Sequence, residues 1–175
     1  MVTPLTATPA WVRAYMEAVA AGTPDAEAAA TATRLFGPKG KEFAHCRIRT
    51  RTLTVPVAGG GAALKRRGAD PVISEHGKWR REHLGAWLAA YGRTPYYEHL
   101  MPAIARVYEC PEGTRLEDFN SAMLRVALDW LDPAALAPLA PRLEAVRADA
   151  QAKTDASLSI FDVIFRLGRE AVFTL

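Results

Sequence analysis

The stretch RIRTRTLTVPV (residues 47–57) alternates strictly between two kinds of side chain and is rich in β-branched residues. A period of two is typical of a β-strand, or of a bent pair of short strands, rather than of a helix. One face carries Arg47, Arg49 and Arg51 and then aliphatic side chains, so it is expected to run from a solvated or anion-lined end into a core. Pro56 lacks a backbone N–H donor, which favours an edge strand or a strand end.

Helical periodicity predominates on both sides of this strand. Thr-Pro pairs at residues 8–9 and 23–24 supply helix starts, since proline suits the first helical position. The predicted helices are residues 9–21, 25–36, 79–91, 96–107 and 116–131, with a proline-interrupted helical region at 133–153. Residues 59–70 are predicted as a glycine-rich loop and residues 72–73 as a second short strand. We therefore expect one α+β domain, mostly helical with a small β-sheet, over residues 1–175.

Composition restricts the class of protein and of ligand. Half of the residues are hydrophobic and 23% are charged, which is typical of a folded protein rather than a disordered one. The net charge of +3 permits an anionic ligand, but no nucleic-acid-binding motif accompanies it. No apolar run approaches the roughly 20 residues that cross a bilayer, and the first residues lack a secretory signal pattern. A cytoplasmic protein that neither binds nucleic acid nor spans a membrane is expected.

The two cysteines, Cys46 and Cys110, are far apart and show no metal-ligand spacing, so neither a metal nor a cofactor is predicted. Reduced thiols are expected. Cys46 stands near Lys41 and Arg47 in the sequence, a setting that would lower the pKa of an exposed thiol. A catalytic pair with the adjacent His45 is excluded, because neighbours on a strand point to opposite faces.

The segment SLSIFDVIFRLGREAVFTL (residues 157–175) is too apolar to be a loose end. Its largest apolar side chains fall on a helical stripe that begins near Ser157. We expect these side chains to be buried in the core: Leu158, Ile160, Phe161, Ile164 and Phe165.

An aromatic helix is the strongest candidate for the wall of a site. Trp79, His83 and Trp87 are spaced four residues apart, hence on one helix face. The structural interpretation is a packed aromatic stripe with a hydrogen-bonded histidine. The functional interpretation makes His83 a general base that lines a cleft, with Leu84, Leu88 and one of the two tryptophans buried behind it.

Polar residues near this helix are candidates for the same cleft. Tyr91, Tyr96 and Tyr97 place three phenols around one turn, and at least one is expected to line the site. Glu98 and Asp118 are the candidate carboxylate partners of His83. Structural alternatives exist for each of them, since buried phenols need hydrogen-bond partners anyway and Asp118 suits the first turn of a helix. Asn120 would reach the cleft if it points away from the core.

The three strand arginines have two interpretations. They could form a solvated edge that discourages strand pairing, or they could clamp a carboxylate or phosphate, because guanidinium groups bind such anions bidentately. In the second case the arginine end of the strand should face His83 in a single cleft.

These segments occur in an order that resembles a known family. LTVPV (53–57) precedes a glycine-rich loop, and it is followed by Trp79-x-x-x-His83, AYGRTPYYE (90–98), DFN (118–120) and LSIFDVIF (158–165). The series looks like the WbqC-like protein family, bacterial proteins associated with O-antigen and other surface-polysaccharide gene clusters. The resemblance extends from about Leu53 to the carboxyl end and, more loosely, from Thr8.

Two polar segments depart from the family pattern. Relatives carry a K-Q-x-[YF]-R-N-R-like segment before LTVPV, whereas this chain has KEFAHCRIRTR (residues 41–51), in which Lys41 and Phe43 match. The family's L-F-N-E-G-P-E is replaced by IFRLGRE (residues 164–170). Any chemistry that these segments perform in relatives is expected to be altered here.

The resemblance implies two candidate functions. The first is a transferase that moves an acyl or amino-acyl group in surface-polysaccharide biosynthesis, with arginines holding phosphates, rings stacking on base or sugar, and His83 as general base. The alternative is a non-catalytic protein that binds a nucleotide sugar or another anion. In both cases the expected partner is a small anionic substrate, either a nucleotide sugar or an acyl donor. The ligand-binding residues expected are Lys41, Arg47, Arg49, Arg51, Trp79, Tyr91, Tyr96, Tyr97, Glu98, Asp118 and Asn120.

Overall fold

The computed structural model describes residues 3–49, 51–65, 71–131 and 158–175. Helices predominate, and a two-stranded antiparallel sheet accompanies them, so the predicted α+β class is confirmed. The helical region predicted at residues 133–153 lies outside the described residues. The α-helices are α1 (Pro9–Ala20), α2 (Asp25–Phe36), α3 (Gly60–Lys65), α4 (Trp79–Tyr91), α5 (Tyr97–Tyr108), α6 (Leu116–Trp130) and α7 (Ile160–Leu167); 3-10 helices cover Gly40–Ala44 and Gly168–Thr174.

The first two helices pack against each other as an N-terminal pair. Helix α1 begins as predicted, with Pro9 in its first turn and the Thr8 hydroxyl accepting a hydrogen bond from the backbone N–H of Trp11. Trp11 is completely buried, and its indole N–H donates to the Thr33 hydroxyl of α2 at 2.9 Å. This bond satisfies the polar end of the ring inside the pair.

The alternating stretch forms a β-hairpin, which is the bent-pair form of the prediction. β1 (His45–Ile48) pairs with β2 (Arg51–Thr54), with Ile48 opposite Arg51 and Arg47 opposite Thr52. Residues that face each other across an antiparallel pair point to the same side. Arg47 and Arg51 therefore point to opposite sides, and the prediction that the arginines share one face is wrong. The turn after Ile48 reverses the chain and changes the phase of the alternation.

Two connections differ in detail from the prediction. Residues 60–65 form a short helix, α3, instead of a loop, and Leu64 anchors it in the core. Residues 72–73 form two isolated bridges, Val57–Ile73 and Val72–Arg115, rather than a full strand.

The terminal segment docks on the core as predicted. Ile160, Phe161, Ile164 and Phe165 are all buried, whereas Leu158 is only half-buried. The helix begins at Ile160, three residues later than expected, because Ser159 is its N-cap. Backbone bonds Ser159 N–H to Arg47 O and Ile160 N–H to Ala7 O fix this start against β1 and the N-terminal segment.

Gly168 ends α7 with a φ of 59°. A Cβ at this position would lie 2.5 Å from the ring of Tyr96. Glycine is therefore required by both the backbone and the close ring. Among the described helices, none has both the length and the apolar character needed to cross a bilayer.

Candidate functional site

His83 lies in the core rather than on a cleft wall. It is 5% exposed, its Nδ1 lies 3.2 Å from the hydroxyl of Tyr108, and its ring packs edge-on against Trp79. Burial lowers its pKa to about 4, and a hydrogen bond with the backbone of Thr54 opposes this shift only in part. The imidazole is therefore neutral at physiological pH.

The expectation that His83 lines an open cleft is wrong. The reason is that α4 packs its ring-bearing face inward, so that Trp79 and Trp87 are both buried instead of one of them. Leu84 is half-buried, and Leu88, expected in the core, is 57% exposed. The catalytic role of His83 remains a prediction with no geometric argument in its favour.

The three tyrosines also serve the core. Tyr91 is fully buried and stacks on Phe165 with 4.5 Å between the ring centroids. The guanidinium of Arg49 lies 5.2 Å from the centroid of the Tyr91 ring. Burial, followed by the charge of Asp162, raises the pKa of the Tyr91 phenol. Tyr96 and Tyr97 are half-buried, and the rings they contact are those of Trp130 and Phe165 respectively.

The remaining candidates from the aromatic region are dispersed. Glu98 is exposed on α5. Asp118 is exposed and forms an ion pair with Arg115, which lowers the pKa of that carboxyl. Asn120 is fully buried, and its amide N–H groups donate to the backbone carbonyls of Thr3 at 2.8 Å and Phe43 at 3.0 Å. The contacts of Asn120 hold the N-terminal segment on the fold.

Lys41 and Trp79 complete the set of predicted ligand-binding residues. The side chain of Lys41 lies outside the described residues. Trp79 is 6% exposed and borders a shallow cavity of about 280 Å³ at the start of α4. Its indole N–H donates to the carbonyl of Ser74 at 3.2 Å.

The arginine region contains an ion-pair cluster around a buried carboxylate, which the sequence did not indicate. Asp162, 3% exposed, accepts from Arg49 Nε at 3.1 Å through one carboxylate oxygen and pairs with Arg166 at 2.9 Å through the other. Arg166 also donates to the backbone carbonyl of Asp162. One carboxylate thus orients two guanidinium groups, which is a strong, charge-assisted arrangement.

A pocket of about 480 Å³ lies on the outer side of the hairpin, and we call it the outer pocket. His45 and Arg47 are two positions apart on β1, so both side chains point to this side, and Thr52 lies opposite Arg47 on β2. The wall opposite the hairpin comes from the N-terminal segment and the end of α2. Besides these three, the lining residues are Pro4, Thr6, Thr8, Trp11, Phe36, Gly37, Pro38, Glu42 and Ser159.

The outer pocket combines groups that suit recognition of a small polar anion. Arg47 is exposed and supplies a guanidinium, while His45 is half-buried and supplies an imidazole. The threonines add hydroxyl groups, and Phe36, 49% exposed, presents a ring at the rim. Pockets that bind small molecules typically combine a concave apolar wall with a few polar groups in this way.

Sequence reasoning identified Arg47 in this pocket but missed its neighbours. His45 was rejected as a catalytic partner of Cys46 and noted in the segment that departs from the family pattern, although its spacing from Arg47 already placed both on one strand face. Thr6 and Ser159 carry no local signal, because only the fold brings the N-terminal segment, β1 and the start of α7 together.

The other predicted arginines lie on the opposite side of the hairpin. Arg49 and Arg51 border a separate groove of about 430 Å³ against α4, which we call the α4 groove. Arg49 and Arg51 thus face Glu82 and Ala86 of α4, whereas the arginine end of the strand was predicted to face His83. In place of the single cleft, one pocket lies on each side of the hairpin.

Cys46 and the potential metal ligands bear on two further types of chemistry. Cys46 is 1% exposed, and burial raises the pKa of its thiol to about 12, so this cysteine is not a reactive thiolate. Within the described residues, no group of three or more histidine, cysteine, aspartate or glutamate side chains is arranged to hold a metal ion.

Comparison with known proteins places the chain in a family. Residues 43–152 match the family model described as the WbqC-like protein family, which is more than half of the chain and includes both strands of the hairpin. A search of curated protein sequences and a search of solved structures each give no match. The chain belongs to the WbqC-like protein family.

Proposed function

We propose that this protein binds a small anionic substrate in the outer pocket and transfers an acyl or amino-acyl group in the assembly of bacterial surface polysaccharide, in the cytoplasm. The observation that carries the proposal is that His45 and Arg47 lie on the same face of β1, at the wall of a 480 Å³ pocket. The type of reaction comes from the family resemblance. The binding geometry comes from the pocket itself.

Arg47 supports recognition of the anion. Its exposed guanidinium can form two parallel hydrogen bonds with one phosphate or carboxylate group, which fixes the orientation of that group. Thr52 lies directly across the strand pair and offers a hydroxyl on the same side. A nucleotide-linked sugar or an acyl donor carries such an anionic group.

His45 supports the transfer step. An accessible imidazole can accept the proton of an attacking hydroxyl or amine. The oxygen or nitrogen then bonds to the acyl carbon, the bond to the leaving group breaks, and the imidazolium returns the proton to that group. His45 is half-buried and lines a pocket, whereas His83 is buried. We therefore transfer the proposed general-base role from His83 to His45.

A second candidate function is binding without catalysis. It is favoured by the departures in KEFAHCRIRTR (residues 41–51), where the family asparagine and its neighbouring arginine are replaced. Cys46, in that segment, is buried and contributes nothing to the pocket surface.

A thermal-shift screen tests the binding function, because a ligand that binds only the folded state raises the melting temperature. The screen contains nucleotide sugars, acyl thioesters and amino acids. We expect a stabilising ligand whose effect is lost in Arg47→Ala and retained in Arg106→Ala, a matched change on the exposed side of α5. An equal response in both variants would place the ligand elsewhere.

The ligand found in the screen then serves to decide whether the protein is an enzyme or a binding protein without catalytic activity. His45→Gln keeps a polar side chain of similar reach but removes the titratable ring. We expect it to retain binding and lose transfer at least tenfold, as for removal of a general base. Binding with no transfer by the unmodified protein to any acceptor would favour the non-catalytic function.

A further inference from the structure

The α4 groove lies on the other side of the hairpin from the outer pocket, and the proposed function does not use it. Its volume of about 430 Å³ is in the range of small-molecule sites. It is lined by Arg49, Arg51, Glu82, Gly85, Ala86 and Ala89, together with neighbouring apolar residues. Two guanidinium groups therefore face a wall of very small side chains.

Arg49 is held in a fixed orientation at this groove. Its Nε donates to Asp162, which is itself buried and held by Arg166, and its guanidinium lies 5.2 Å from the centroid of the Tyr91 ring. These contacts use Nε and one face of the group, so they leave the terminal nitrogens available for a second acceptor. A preorganised guanidinium loses little conformational entropy when it binds an anion.

Gly85 adds to the width of this groove. Glycine inside a helix is unfavourable relative to alanine, so it usually has a packing reason. Here a Cβ at Gly85 would have no atom within 4 Å, so packing does not require glycine. What its missing side chain provides is space in the groove, beside Ala86 and Ala89.

The groove carries more positive than negative charge. Its lining carries two guanidinium groups, those of Arg49 and Arg51, and one carboxylate, that of Glu82, while the charge of Arg49 is partly offset by its partner Asp162. An anion is therefore favoured at the arginine end. Glu82 disfavours a second anionic group at its own end, but a carboxylate readily accepts hydrogen bonds from hydroxyl groups.

We infer that the α4 groove is a second binding site, which takes a small hydroxylated phosphate monoester such as a sugar phosphate. The phosphate binds Arg49 and Arg51, and the sugar body lies against the wall formed by Gly85, Ala86 and Ala89. Glu82 accepts hydrogen bonds from the sugar hydroxyls. This inference is independent of the function proposed for the outer pocket.

Isothermal titration calorimetry tests the inference with glucose 6-phosphate, ribose 5-phosphate, inorganic phosphate and glucose as probes. We expect at least one of the two monoesters to bind at least tenfold more tightly than inorganic phosphate, and glucose not to bind. Arg51→Ala should weaken monoester binding at least tenfold, whereas Arg93→Ala, an exposed arginine beyond the end of α4, should leave it unchanged.

Gly85→Leu is the second variant, because a Cβ at this position would have no neighbouring atom within 4 Å and the longer side chain would occupy the groove. We expect it to fold with a melting temperature at or above that of the unmodified protein and to bind the monoester at least tenfold more weakly. Binding unaffected by both variants, or no monoester binding at all, would overturn the inference. Equal affinity for phosphate and monoester would overturn the ligand class. Loss of binding in Arg47→Ala with Arg51→Ala unaffected would place the ligand in the outer pocket instead.

Discussion

The carboxylate of Asp162 accepts a hydrogen bond from Arg49 Nε at 3.1 Å and thereby ties helix α7 to the turn of the hairpin. The two residues are 113 positions apart in the sequence. Asp162 is buried, whereas the side chain of Arg49 is 39% exposed, so the pair joins core to surface. Because Ser159 N–H also bonds to Arg47 O, the start of α7 positions residues on both sides of the hairpin.

Removing this carboxylate should destabilise the fold. Asp162→Ala leaves Arg49 and Arg166 without their shared partner near the core, and loss of one member of a buried pair costs about 3–5 kcal/mol when both members are buried. Partial exposure of the two arginines reduces this, so we expect about 2 kcal/mol in the free energy of unfolding, measured with urea. The matched control is Asp118→Ala, which removes an exposed ion pair with Arg115. If the two variants unfold at the same urea concentration, the Asp162 cluster has no special role.

The neutral buried state of His83 should make stability depend on pH. Its folded-state pKa, about 4, lies below the unfolded value of 6.5, so the unfolded chain binds a proton first as the pH falls. Stability should therefore be unaffected by this group above pH 6.5 and should fall progressively between pH 6.5 and 4. The loss is of the order of 3 kcal/mol at most.

The measurement is urea unfolding at several values between pH 7.5 and 4, compared with His83→Gln. The variant should be less stable at neutral pH but should show a shallower decline toward acid. His99→Gln, at an exposed position on α5, is the control and should retain the steep decline. A parallel decline in all three proteins would assign the pH dependence to other groups.

The aromatic contacts of α7 should contribute strongly to folding. Phe165 is completely buried between Tyr91, Trp87 and Tyr97, with centroid distances from 4.5 to 5.9 Å. Phe165→Ala should cost roughly 3–5 kcal/mol through lost burial and the cavity that remains. Leu88→Ala, at a position 57% exposed, should change the melting temperature little. Equal melting temperatures for the two variants would contradict the docking of α7 on the core.

The secondary structure was largely predictable because it follows from local signals. Thr8 and Pro9 specify the start of α1, and the apolar stripe from Ile160 to Phe165 specifies a buried helix. The hairpin was predicted only as an alternative to a single strand. The residue types continue to alternate through the turn between Ile48 and Arg51, so the sequence does not mark where the chain reverses. One consequence was that Arg47 and Arg51 were expected on the same face.

The candidate site was harder to predict because it depends on contacts between distant segments. The spacing of Trp79, His83 and Trp87 correctly indicated one helix face, but periodicity alone does not say whether that face is covered. Tyr108 and Phe119, from α5 and α6, cover it. His45 could have been found from its spacing to Arg47, whereas Ser159 could not.

The most direct test of the account is an NMR titration of the histidine ring signals with the ligand from the thermal-shift screen. The chain has four histidines, so each signal can be assigned with a single His→Gln variant. We predict that the ligand shifts the ring signals of His45, at the wall of the outer pocket, and leaves those of buried His83 unchanged. A ligand that shifts His83 while leaving His45 unchanged would contradict the outer pocket as the functional site.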